Sequence, residues 1–195
     1  MPQPLTRADL LSLEAYASER AAFRRRVIAH KKPRQVQLGD HLRLLFEDRL
    51  TIHYQIQEML RAERIFEAAG IDDELAAYNP LIPDGDNWKA TMLIEYPDVD
   101  ERRAALARLV GVEDRVWARV GDGERLFAIA DEDLERSTAD KTSSVHFLRF
   151  QLTPAMVAAV RAGAAIAFGV DHPGLSATQD PVPDATRTAL AADLH

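Results

Sequence analysis

The stretch "DRVWARVGDGERLFAIA", Asp114 to Ala130, decides the fold class. Two alternating apolar runs flank Gly121-Asp122-Gly123, and glycines at a reversal tolerate the positive φ that a tight turn requires. The segment therefore reads as a β-hairpin. The same pattern surrounds Gly39-Asp40 in "RQVQLGDHLRLLFED", Arg34 to Asp48, where two short strands are expected. Further strands are read in "WKATMLIEY" (Trp88 to Tyr96), "SSVHFLRFQL" (Ser143 to Leu152) and "AAIAFGVDHP" (Ala164 to Pro173). Hairpins among interspersed helices favour a mostly antiparallel or mixed sheet over a doubly wound parallel one, so the fold class is α+β, a sheet packed by helices.

The helices follow from caps and stops. Thr6 with Asp9 three residues on marks the start of a helix over residues 7–17, and a second is expected from Glu19 to His30, stopped by Pro33. The longest is expected at about residues 49–69, with Gly70 as its stop. Shorter helices are read in "DDELAAYNPLIP", from Asp98 to Val110, and after Thr153, which caps a helix with Pro154 at its first position. Residues 1–173 form a single domain in this reading, and residues 174–195 a C-terminal tail with a short helix from Asp184.

Composition narrows the chemistry. With 195 residues, 47% of them hydrophobic, the chain supports one sizeable core. It contains no cysteine, which excludes disulfides, thiolate zinc sites, thiol nucleophiles and clusters held by the chain's own thiolates. No apolar run approaches the length needed to cross a bilayer, and "MPQPLTRADLLSLEAY" lacks the layout of a signal peptide, so a cytoplasmic location is expected. The net charge of -7 disfavours non-specific attraction to nucleic acid or anionic lipid.

The charge is unevenly placed. "ERAAFRRRVIAHKKPR", Glu19 to Arg34, holds seven basic side chains and one acid, whereas the rest of the chain holds 17 basic and 30 acidic groups. Arg24, Arg25, Arg26, Lys31, Lys32 and Arg34 are thus the candidate docking residues for an acidic partner. Phe23 is the single aromatic ring in the run, too few to stack on bases.

The long helix poses a separate question. Wound at about 100° per residue, Ile52, Ile56, Met59, Glu63 and Phe66 share one narrow arc, which places Glu63 on the face expected to be buried, with Glu67 one turn on. A buried carboxylate must be paired, protonated or bound to metal. Pairing with an arginine is the simplest account. The alternative is a small enzyme in which Glu63 and Glu67, with Glu47 and His172, hold a divalent metal or a ligand. Glu58 with Arg61 reads as a surface pair, His146 as a core or half-buried histidine, and Asp131 to Glu135 as an acidic loop. Phosphate-loop, dinucleotide, H-E-x-x-H and nucleophile-elbow motifs are absent.

The segments "RVIAHKKPRQVQLGDHLRLLFEDR", "QIQEMLRAERI", "YNPLIP", "SSVHFLRFQLTP" and "VDHP" together resemble an uncharacterised bacterial family, domain of unknown function 3501, over nearly the whole chain. Asp48 stands where that family's "FEN" motif has asparagine. The resemblance implies a genomic neighbourhood that includes a rubrerythrin-like protein and an iron–sulfur oxidoreductase, and through it an accessory role in defence against oxygen or peroxide.

Overall fold

A computed structural model describes residues 3–195. Helix α1 (Leu13–Lys31) is followed by strands β1 (Gln35–Leu38) and β2 (Leu42–Phe46), helices α2 (Arg49–Glu63) and α3 (Ala68–Tyr78), and strand β3 (Asn87–Ile94). Then come α4 (Val99–Arg108), β4 (Val116–Val120), β5 (Leu126–Phe127), β6 (Ile129–Ala130), β7 (Val145–Gln151), α5 (Pro154–Arg161), β8 (Ile166–His172), β9 (Leu175–Gln179) and α6 (Asp184–Ala191). The strands form two antiparallel sheets, β1-β2-β3-β7-β6 and β5-β4-β8-β9. The α+β expectation holds.

The opening hairpin has a further role. Trp117 pairs with Phe127 in one sheet, while Ile129 pairs with Arg149 in the other, so the chain changes sheet at Ala128. Alternation along the strands then turns Phe46, Trp88 and Phe150 of the first sheet toward Phe168 of the second. Their ring centroids lie 4.8 Å (Phe46), 5.7 Å (Trp88) and 5.4 Å (Phe150) from that of Phe168. A smaller apolar cluster, Leu5, Ile52, Ile56, Leu60, Leu75 and Ile82, joins the N-terminal segment to α2 and α3.

Three boundaries differ from expectation. Residues 7–17 and 19–30 do not form two helices: Thr6 caps only a 3₁₀ turn, and α1 starts after Ser12, whose Oγ accepts from the Ala15 N–H, and runs unbroken to Lys31. No glycine or proline lies between Leu13 and Lys31 to interrupt it. The long helix stops at Glu63, because Arg64 adopts a left-handed conformation at φ 57°, and α3 starts afresh at Ala68. Lastly, residues 174–195 are not a tail: β9 pairs with β8 along its length, and Val182, Leu190 and Leu194 enter the main core.

Candidate functional site

The residues singled out in the sequence do not converge. Glu63 and Glu67 are exposed, and the helical arc that should bury Glu63 runs out of covering neighbours beyond Leu60. Phe66, placed on the same arc, is 72% exposed. Glu47 is buried, with Thr51 and Thr91 hydroxyls donating to its two carboxylate oxygens. His172 lies on the other sheet; its Nε2 is 3.0 Å from the Val110 carbonyl and its Nδ1 accepts from the Gly174 N–H at 3.0 Å. Both ring nitrogens are thereby satisfied by backbone, which leaves none for a metal.

The basic segment divides. Arg24, Arg25, Arg26 and Lys32 are exposed, and among the described residues none of them lies within 4.0 Å of a carboxylate. Lys31 is half-buried, its ammonium 6.0 Å from the centre of the Tyr54 ring. Arg34 is not a docking residue, since it is 3% exposed. It donates to the carbonyls of Phe46, Glu47 and Ala189 and to Asp193 Oδ2 at 2.6 Å, tying the start of α2 to the end of α6. Burial outweighs that arginine and pushes the Asp193 carboxyl up to about 6. Glu58 pairs with Arg20 rather than Arg61, through two bonds of 2.7 and 2.8 Å, and also accepts from the Tyr16 hydroxyl.

One constellation does come together. Among the described residues, Glu113, Asp131 and His146 bring ligand-type atoms within 4.8 Å of one another. Glu113 comes from the 3₁₀ turn before β4, Asp131 directly follows β6, and His146 lies on the inward face of β7 at 0% exposure. The Asp131 backbone is held at φ 51°, unusual for a residue other than glycine. Its Oδ1 accepts from the Phe147 N–H at 2.9 Å, and Oδ2 lies 2.6 Å from His146 Nδ1. Arg136 bridges Asp131 and Asp133 while its guanidinium lies 4.5 Å from the centre of the Phe147 ring.

The opposite nitrogen of His146 meets a different set of atoms. Nε2 is 2.7 Å from Thr142 Oγ1, 3.1 Å from the Ser143 carbonyl and 3.9 Å from Glu113 Oε2. The Thr142 hydroxyl donates to Glu113 Oε2 at 3.2 Å, and the Ser137 hydroxyl donates to Glu113 Oε1. Asp131 accepts the Nδ1 proton, which fixes the ring's orientation. A hydroxyl has one proton, so Thr142 can give its own to Glu113 Oε2 or to Nε2 but not to both; when Glu113 takes it, the atoms around Nε2 are all oxygen acceptors. Asp114, beside this group, has its carboxyl pushed up by burial and by the nearby charges of Glu113 and Asp131.

Sequence reading places His146 as a core histidine and Asp131 to Glu135 as a mere acidic loop. The burial half is right, but the partnership is made by a long loop with no motif spacing to betray it. The one available signal was a histidine on the inward side of a strand, which must find buried hydrogen-bonding partners.

Two packed antiparallel sheets, a flanking helical layer and a buried carboxylate–imidazole cluster define an α+β protein with one concentrated polar centre. The family model for "Protein of unknown function (DUF3501)" matches residues 4–194, and the chain belongs to that family. It is similar to a novel protein of unknown function from Burkholderia pseudomallei K96243, solved by crystallography at 1.90 Å resolution. The two share 58% sequence identity with a TM-score of 0.93, over 99% of this chain and 100% of that one. Comparison with curated proteins finds no match.

Proposed function

We propose that this protein is an accessory protein of a cytoplasmic redox system that counters oxygen or peroxide, and that it docks a rubrerythrin-like or iron–sulfur oxidoreductase partner through α1. The observation that carries this reading is the run of exposed basic side chains on that helix that no carboxylate pairs among the described residues. Elsewhere arginines are commonly matched by carboxylates, as in Arg20–Glu58, Arg43–Glu95, Arg119–Asp180 and Arg149–Glu132. Arg24, Arg25, Arg26 and Lys32 instead face solvent on one helix and the turn after it. Ile28, 46% exposed, lies on the face of Arg25 and Lys32, which gives the surface an apolar centre within a basic rim.

The redox identity of the partner rests on the genomic neighbourhood implied by the family resemblance. No helix is long and apolar enough to cross a membrane among the described residues. The competing reading, an enzyme built on carboxylates of the long helix, loses its basis because Glu63 and Glu67 are exposed.

The test is charge reversal. Arg24→Glu, Arg25→Glu and Arg26→Glu combined should weaken binding to a purified rubrerythrin-like or iron–sulfur partner by at least about tenfold, and added salt should weaken the wild-type complex in the same direction. Binding unchanged by the triple variant at low salt contradicts the proposal.

A further inference from the structure

We infer that the Glu113–Asp131–His146 cluster is a binding site for one divalent first-row transition-metal ion, held on Nε2 of His146. Three features of the geometry lead there. The first is the division of labour around the ring. Asp131 Oδ2, 2.6 Å from Nδ1, takes the role that a carboxylate plays behind a metal-bound histidine: it holds the Nδ1 proton and orients the ring so that Nε2 is turned to the other ligands. Asp131 is itself fixed, by the Phe147 N–H and by Arg136, so the ring cannot easily turn.

The second feature is the donor set around Nε2. Thr142 Oγ1, the Ser143 carbonyl and Glu113 Oε2 surround it at 2.7, 3.1 and 3.9 Å, and Thr142 Oγ1 is 3.2 Å from Glu113 Oε2. Ligand atoms bonded to a common ion at roughly 2.0–2.2 Å stand about 3–4 Å from one another; three of these four separations have that spacing, and the Nε2–Thr142 Oγ1 contact is shorter, at hydrogen-bond length. One imidazole with carboxylate and neutral oxygens suits zinc, manganese or iron rather than the oxygen-only calcium.

The third is charge. Glu113 and Asp131 bring two carboxylates to the ring, and Asp114 and Asp133 stand beside them, while Arg136 is the only guanidinium or ammonium paired with this group among the described residues. A dication on Nε2 offsets that excess. The ligands come from the turn before β4, the loop leading into β7 and β7 itself, so the ion would pin the 131–144 loop onto the sandwich. Glu63, Glu67, Glu47 and His172 have no part in it.

The experiment uses the full chain, stripped with chelator and titrated separately with Mn²⁺ and Zn²⁺. Binding is followed by calorimetry and, for Mn²⁺, by loss of the free-ion electron paramagnetic resonance signal. One equivalent should bind, and Glu113→Gln should weaken it by at least about tenfold, as should Asp131→Asn acting through the ring. Imidazole ¹⁵N spectra of the wild type give a second readout that needs no variant: Mn²⁺ should broaden the His146 resonances before those of His30, His41, His53, His172 and His195. Absence of stoichiometric binding of both ions, equal affinity in Glu113→Gln, or broadening that spares His146 overturns the assignment; the last two would mean an adventitious surface site.

Discussion

Arg34 shows how one residue can look like a docking group and serve as a fastener. Its sequence context is the most basic in the chain, yet its guanidinium is spent on three carbonyls and on Asp193. What distinguishes it from Arg24 to Arg26 is position: those three lie on α1, whereas Arg34 stands at the junction with β1, where the chain turns inward. A pH dependence follows from its partner. The Asp193 carboxyl is raised from 3.8 to about 6 on folding, so the folded state favours the protonated form. The stability this contributes is complete below pH 3.8 and is lost as pH rises through about 6. Denaturant titrations of Asp193→Asn across that window should show a shallower decline than the wild type, by an amount of the order of 3 kcal/mol. Parallel declines would show that Asp193 is not the group responsible. Asp193 was invisible to sequence reading because its partner lies far back in the chain and no local pattern links them.

At the scale of elements, legibility tracked the strength of local punctuation. The hairpins at Gly39 and Gly121 were readable because period-two alternation met glycines that supply positive φ, 68° and 55° in the structure. The end of α2 was not, since the left-handed position is filled by Arg64, which gives no glycine signal. Arg64→Gly should therefore stabilise the protein by about 1 kcal/mol, read as a rise in thermal midpoint, because it removes the steric cost of a side chain in that conformation. A fall would mean that the Arg64 side chain earns its place through contacts. The join between α1 and α2 offers a second test. Glu58, bound by Arg20 and Tyr16, has its carboxyl lowered to about 2, so its contribution is present above pH 4.5 and is lost as pH falls toward 2. Glu58→Gln should lower stability near neutral pH by about 1 kcal/mol, allowing for partial exposure, with the deficit vanishing in acid. A deficit that persists in acid would point to packing instead of charge.

The whole molecule separates its tasks. The sandwich between the two sheets buries the aromatic core and holds the Asp131–His146 pair, while α1 packs mainly on α2 and leaves most of its surface to solvent. The α+β class was readable from the order of elements, but the partition into two sheets was not. It depends on a change of partner at Ala128, in the middle of what reads as one continuous strand. The metal-type cluster was equally hidden, being assembled by a turn, a loop and a strand that meet only after the sheets pack. The exposed basic run proposed for docking was the more legible of the two, since exposed charge on a helix needs no tertiary partner to be seen. Its function is tested most directly by hydrogen–deuterium exchange of the protein alone and with a purified rubrerythrin-like or iron–sulfur partner. The account predicts slowed exchange over α1, Leu13–Lys31, and over the turn that carries Lys32. Failure of both partners to bind, or protection confined to the sheets while α1 exchanges unchanged, would contradict it.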